Sequence, residues 1–287
     1  MGELEALISS EIKSKSSPPW MPLLGGPIVD AEWLRLKKQL GVTTSDYSTC
    51  RILEAIKNGS KRAESRPRGK SIQLGQIHIL LETVPESFLE EYKTRGFKFY
   101  DATAVLNGSP ILKIIKDALQ LIQIVPTLFG TIAVIVRSMH LLRPEDEHHD
   151  VSFSLPDIPF SVFVSVPGKR NHDTTLRVAE AIIHEAMHLQ LTLIEHAIPM
   201  VTESNSRFLS PWRNAERSAS GILHAVYVFA VIDSWLNLLP ATLINTYAQK
   251  RKREIADQMQ QIKSFPASAE LTPYGRLLFL RLLSSFQ

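Results

Sequence analysis

The distribution of apolar residues predicts mostly α-helices, and one of these helices is apolar on nearly every side. In the segment RVAEAIIHEAMHLQLTLIEHA, residues 177–197, apolar side chains occupy most of the helical wheel. A helix of this kind is expected inside a folded protein. Five of its polar residues recur along one stripe of the helix, and they are Arg177, Glu180, His184, His188 and Glu195.

Further helices are predicted on both sides of this segment. They cover part of residues 1–20, and then 31–41, 45–58, 86–96, 218–239, 246–263 and the stretch after Thr272. A long apolar helical block is also expected from Ser109 to Leu142. Within it, the uncharged run from Ala118 to Val136 is long enough to span a bilayer, but its glutamines and Pro126 favour a buried core helix, or two helices broken near Pro126.

Three stretches have the pattern of β-strands. Residues 72–78 and the short run FKFYD at 97–101 precede or border the apolar block. From Phe160 to Val166, the side chains alternate in character with a period of two. We expect this third strand, with the pieces around Pro156 and Pro159, to form an edge hairpin or meander just before the apolar segment.

The composition is that of an ordinary globular protein. A chain of 287 residues can bury a sizeable core, in one large domain or two closely joined ones. The formal net charge of +3 is too small to indicate a nucleic-acid partner. The single cysteine, Cys50, excludes an internal disulfide and a cysteine-rich zinc site, and it fits the cytoplasm, where we expect the protein. We expect no membrane association, and the sequence leaves a homodimer open.

Two histidines of the stripe belong to a metal-binding motif. His184, Glu185 and His188 make up HExxH, and imidazoles at positions i and i+4 of a helix point the same way, as two ligands of one metal require. Unpaired imidazoles on a buried helix would be unfavourable, which supports a metal over a chance match. A strand shortly before such a helix is typical of zincin-like domains, in which an edge strand can bind an extended peptide. The expected fold is therefore α+β, mostly α-helical, with a zincin-like catalytic core and a small β-sheet beside the HExxH helix.

The third metal ligand distinguishes the chemistries open to an HExxH site. A metzincin would need glycine and histidine where this chain has Leu191 and Ile194, so that class is excluded. A thermolysin-like zinc peptidase would use a later glutamate, and the candidate is Glu216, in a polar, loop-like helix start. His224 lies on the apolar helix from Ser218 to Leu239 and is the better-placed third ligand.

Three neutral imidazoles would leave several positions open on a six-coordinate metal. That arrangement suits Fe(II), which binds a bidentate 2-oxo acid and then O2. The distal carboxylate of 2-oxoglutarate would need a cation, preferably a guanidinium. Arg213 and Arg217 are expected one helical turn apart, just before the helix that carries His224.

At these residues the chain resembles a known family. The segments HEAMHLQLTLIE and SPWRNAERSASGILHAVYVFAVIDSW are similar to the HExxH-type peptide-modification proteins of ribosomal natural-product pathways. The resemblance covers residues 150–285 in outline and extends to LPDIPFSVFVSVP and LTPYG. The chain departs from the family pattern at Ser218, where proline is expected, and at Ala225, where glycine is common.

The resemblance implies an iron- and 2-oxoglutarate-dependent peptide β-hydroxylase. With O2, it would hydroxylate the β-carbon of a residue in a precursor peptide, which is the expected partner. Glu185 would order the site or contact the substrate through hydrogen bonds. The implied iron ligands are His184, His188 and His224, and the implied co-substrate contacts are Arg213, Arg217, Trp212 and Tyr227.

Two other functions stay open. In a zinc metallopeptidase, Glu185 would be the general base acting on a metal-bound water. A non-enzymatic peptide-binding protein would keep a decayed or purely structural metal site. In each case we expect residues 1–75 to form an N-terminal helical region packed on the core, and residues 76–287 to form the HExxH catalytic domain.

Overall fold

The computed structural model describes residues 2–40, 69–74, 77–82, 97–100, 109–145, 151–155 and 158–286. Within these ranges the chain is mostly helical, with a small mixed sheet, which confirms the predicted α+β class. The described α-helices are α1 Gly2–Lys13, α2 Gly25–Leu40, α3 Pro110–Gln123, α4 Pro126–Ile135, α5 Thr174–Ala197, α6 Ala219–Leu238, α7 Thr246–Gln261 and α8 Pro273–Leu283. The described strands are β1 Gly69–Leu74, β2 Ile77–Glu82, β3 Lys98–Phe99, β4 Ser138–Arg143, β5 Ser152–Ser154, β6 Ser161–Ser165, β7 Phe208–Ser210 and β8 Ala215–Arg217.

The chain folds as two compact units. The first unit comprises residues 1–29 and 190–287, and the second comprises residues 30–189. Helix α5 contributes to both, because the division falls between Leu189 and Gln190. The HExxH residues therefore belong to the second unit and His224 to the first. The predicted division after residue 75 stays a prediction.

The second unit is built on a mixed sheet. Its strand order is β1-β2-β4-β6-β5, and β3 pairs with β4. Strand β4 is parallel to both β2 and β6, whereas β5 is antiparallel to β6 at the end of the sheet. Because successive side chains point to opposite faces, His140 and Phe163 share one face, and Leu141 and Val164 share the other.

The first unit surrounds the apolar helix α6. Among the described helices, α6 is the one long and apolar enough to cross a membrane by length and composition, and 72% of its most apolar window is buried inside the protein. The N-terminal segment belongs to this core, since Ile8 and Ile12 of α1 are 0% and 2% exposed. Arg281 of α8 holds the end of that segment by donating to the carbonyl oxygens of Glu11 and Pro18 at 2.6 and 3.0 Å.

Several predicted elements differ from the structure. Residues 138–142, expected in the helical block, form β4, because a strand between β2 and β6 satisfies its backbone groups inside the core. The single strand predicted over residues 72–78 is two antiparallel strands, β1 and β2. The helix predicted to begin at residue 31 is α2, which begins six residues earlier, at Gly25. The break near Pro126 is confirmed, and the helices predicted over 45–58 and 86–96 lie outside the described residues.

Candidate metal centre

Helix α5 places the HExxH motif on a largely buried helix. Its start is fixed by Asn171, whose Oδ1 accepts hydrogen bonds from Thr174 Oγ1 at 2.7 Å and from the Asp173 amide at 3.0 Å. Most of its apolar side chains are fully buried. His184 and His188 of the predicted stripe are partly exposed, so the face of the helix that carries both imidazoles is accessible.

The two motif histidines lie side by side. Their Nε2 atoms are 3.1 Å apart and their ring planes are inclined by 66°. With metal–nitrogen bonds of about 2.1 Å, nitrogens at this separation would subtend about 95° at a shared metal. That angle is nearer to the about 90° between neighbouring octahedral ligands than to the about 109° of a tetrahedron. The same distance suits a hydrogen bond between the rings when no metal is bound.

Glu185 is buried next to this pair. Its side chain is 3% exposed, and Oε1 lies 4.0 Å from His184 Nε2. The same oxygen accepts a hydrogen bond from Ser152 Oγ at 2.7 Å. Ser152 is the first residue of β5, so the end strand of the sheet is in direct contact with the motif. A strand of three residues is too short to give a recognisable pattern, so the sequence did not predict this contact.

His224 is paired with a carboxylate. Its Nε2 atom lies 2.9 Å from Oε2 of Glu195, and the two side chains are 13% and 20% exposed. The other carboxylate oxygen of Glu195, Oε1, is buried and has no hydrogen-bond partner among the described residues. The helical period places Glu195 on the polar stripe of α5. This period gives no indication that Glu195 pairs with His224 on another helix.

The three predicted histidine ligands thus lie in two separate pairs. His184 and His188 lie in the second unit, whereas Glu195 and His224 lie in the first. Within the described part of the chain, no group of three or more His, Cys, Asp or Glu side chains is arranged to hold a metal ion. The pair His184–His188 fits two metal ligands, and the three-histidine set stays a prediction.

The two predicted co-substrate arginines lie on a β-hairpin. Strands β7 and β8 pair from Phe208 with Arg217 to Ser210 with Ala215. Arg213 is in the turn and Arg217 ends β8, so the prediction that they stand one helical turn apart is wrong. Pro211 and a left-handed Asn214, with φ 46°, shape a turn in place of a helix start.

Three charged residues of this hairpin are exposed to solvent. Arg213 and Arg217 are both exposed, and neither guanidinium has an ion-pair partner within the described ranges. Glu216 is also exposed and lies opposite Leu209 in the hairpin. Glu216 is therefore in a strand, where a loop-like helix start was predicted.

Trp212 and Tyr227 are the other predicted co-substrate contacts, and they differ in whether the polar group of the side chain already has a hydrogen-bond partner. The Trp212 ring stacks on Phe229 with centroids 5.4 Å apart, and its Nε1 is buried with no hydrogen-bond partner in the described part of the chain. Tyr227 is fully buried, and its hydroxyl donates to Gln190 Oε1 at 2.7 Å. Burial raises the pKa of Tyr227. Trp212 offers a free donor, whereas the Tyr227 hydroxyl already has its acceptor.

A further histidine, which the sequence pattern did not single out, is buried in the sheet. His140 is 1% exposed, its Nδ1 lies 2.9 Å from the carbonyl oxygen of Glu82, and its ring stacks on Phe163. Burial lowers the pKa of His140 from 6.5 to about 4, against the opposing effect of Glu82. This histidine is therefore a neutral core residue at physiological pH.

In comparisons with known proteins, no protein-family model and no curated protein sequence matches this chain. The resemblance to HExxH-type peptide-modification proteins therefore rests on the motif residues themselves.

Proposed function

We propose that this protein is an Fe(II)- and 2-oxoglutarate-dependent dioxygenase that hydroxylates the β-carbon of a residue in a ribosomally synthesised precursor peptide. The observation that carries the proposal is the 3.1 Å separation of His184 Nε2 and His188 Nε2, which suits adjacent ligands of a six-coordinate metal. The resemblance of the SPWR segment and the following helix to peptide β-hydroxylases supplies the reaction and the substrate class.

His184 and His188 would hold the iron, with His224 as the third ligand. The chemistry that iron, 2-oxoglutarate and O2 supply together is the oxidation of an unactivated C–H bond. The exposed guanidinium groups of Arg213 and Arg217 are suited to bind the distal carboxylate of 2-oxoglutarate. Their lack of an ion-pair partner within the described ranges supports this role.

Strand β5 supports a peptide substrate. It ends the sheet, and among the described residues no further strand pairs with its outer edge. An extended peptide can add to such an edge through main-chain hydrogen bonds. Because Ser152 of this strand contacts Glu185, a peptide paired there would lie close to the HExxH motif. The same arrangement, an antiparallel end strand beside an HExxH helix, supports the proposal of a zincin-like core.

One observation favours the alternative, a zinc metallopeptidase. The Glu185 carboxylate is buried 4.0 Å from His184 Nε2, where a general base for a metal-bound water would be needed. Against this alternative, Glu216, the candidate third ligand of a thermolysin-like site, lies exposed in β8.

The experiment that tests the proposal is an anaerobic titration of the Fe(II)-loaded protein with 2-oxoglutarate. A visible charge-transfer band that is lost in His184→Ala and in His224→Ala would support an oxygenase site with three histidine ligands. The absence of a band, together with tight zinc binding and a peptide cleavage abolished by Glu185→Gln, would replace the proposal with the peptidase.

A further inference from the structure

Ser152 connects the end strand of the sheet with the HExxH motif. From this contact we propose that Ser152 is a positioning residue, which holds the Glu185 carboxylate beside the metal-binding histidines. This role needs a metal at His184 and His188, which is part of the proposed function, but it is independent of the reaction that the metal serves.

The neighbouring Phe153 fixes the direction of the Ser152 side chain. The Phe153 ring stacks on Phe163 with centroids 4.5 Å apart, and it also contacts Phe97 at 5.1 Å. Because adjacent residues of a strand point to opposite faces, an anchored Phe153 directs Ser152 to the face where Glu185 lies. The pairing of Ser152 with Val164 of β6 holds the backbone in register.

The hydrogen bond from Ser152 reaches the carboxylate oxygen that lies nearest to the motif histidine. Oε1 of Glu185 accepts from Ser152 Oγ at 2.7 Å and is 4.0 Å from His184 Nε2. A hydroxyl that donates to an ionised carboxylate forms a strong, directional hydrogen bond. With the Glu185 side chain 3% exposed, water has little access to replace this donor. Removal of the Ser152 hydroxyl therefore takes away a donor that holds Oε1 in its place near His184.

The test is a Co(II) titration followed by visible absorption, with the full-length protein freed of metal. Residues that hydrogen-bond the ligands of a metal typically contribute about 10- to 100-fold to metal affinity. Because Ser152 acts through Glu185, one residue further from the ligands, we expect Ser152→Ala to weaken Co(II) binding by up to about 10-fold, the lower end of that range, and to change the Co(II) absorption bands. Ser152→Thr keeps the hydroxyl and should restore both. The matched control is Ser154→Ala, two residues along the same strand on the same face, which should bind Co(II) like the wild type.

Three outcomes would overturn the role of Ser152. If Ser152→Ala binds Co(II) with wild-type affinity and spectrum while His184→Ala does not bind it, Ser152 has no positioning role and the metal site stands. If Ser152→Ala lowers the thermal midpoint of the metal-free protein without weakening Co(II) binding, Ser152 stabilises the fold alone. If the wild type binds Co(II) no better than His184→Ala, both the metal site and the role of Ser152 are refuted.

Discussion

The Nε2 atom of His224 lies 2.9 Å from Oε2 of Glu195, seven residues beyond the second histidine of the HExxH motif. If His224 keeps this contact when it binds a metal, its ligand atom would be Nδ1. Metal-binding histidines commonly bond a carboxylate through their second nitrogen, which fixes the orientation of the ring. Glu195 can therefore serve as the group that orients His224, a role that is specific enough to test.

Replacement of Glu195 by glutamine should weaken Fe(II) binding by about 10- to 100-fold, because His224 would lose its charged partner. The measurement is Fe(II) affinity by anaerobic competition with a chromophoric chelator. The exposed Glu203, in the loop that follows α5, provides a matched control, and Glu203→Gln should bind Fe(II) like the wild type. Wild-type affinity in both Glu195→Gln and His224→Ala would show that the Glu195–His224 pair is separate from the metal centre.

Replacement of Arg213 or Arg217 by alanine should weaken 2-oxoglutarate binding and leave Fe(II) affinity unchanged. A hydrogen bond to a charged group contributes about 1.5–3 kcal/mol, which corresponds to about a 10- to 100-fold loss. The measurement is the 2-oxoglutarate concentration that half-saturates the charge-transfer band. The exposed Arg207, just before β7, is the control. Equal, small effects at all three arginines would refute the assignment of the hairpin to co-substrate binding.

Burial of His140 makes the fold sensitive to acid. Its pKa is lowered from 6.5 to about 4 in the folded protein, so between these values the unfolded chain binds more protons. The contribution of neutral His140 to the free energy of unfolding is fully present above about pH 6.5. It is lost as the pH falls to about 4, and the total loss is on the order of 3 kcal/mol.

The loss of unfolding free energy in acid should be measured by urea unfolding at about pH 7.5 and about pH 5. His140→Gln should reduce the difference in unfolding free energy between the two pH values. His172→Gln, at a histidine whose side chain is 82% exposed, should leave that difference unchanged. A difference that is the same in the wild type and in His140→Gln would contradict the prediction.

Gly275, in the first turn of α8, allows a close approach of two backbone segments. A Cβ atom at this position would overlap the carbonyl oxygen of Met200. Gly275→Ala should therefore destabilise the protein strongly, because the backbone at Met200 or at residue 275 must move to make room for the Cβ atom. Gly130→Ala is the matched control within a helix, where a Cβ meets nothing within 4 Å, and it should be neutral or stabilising by up to about 1 kcal/mol. Thermal unfolding of both variants checks the prediction, and equal midpoints would contradict it.

The local patterns of the sequence determined most helices and the identity of the candidate ligands. The apolar periodicity around His184 and His188 correctly predicts a buried helix that presents both imidazoles on one face. The helix predicted after Thr272 is likewise confirmed as α8, and the Thr272 hydroxyl caps it by accepting from the Gly275 amide at 3.1 Å. Such signals depend on neighbours within one or two turns, so they can be read without knowledge of the fold.

The tertiary structure alone decided which distant residues meet. Strand β4 replaced a predicted helix because β2 and β6 flank it, and Arg213 and Arg217 lie on a hairpin because β7 and β8 pair. The contacts of Ser152 with Glu185 and of Glu195 with His224 each join segments that are about 30 residues apart. Hydrophobic periodicity identifies the face that an element buries, but it does not specify the partner of that face. The partner follows from packing of the whole chain, which satisfies the buried backbone and polar groups together.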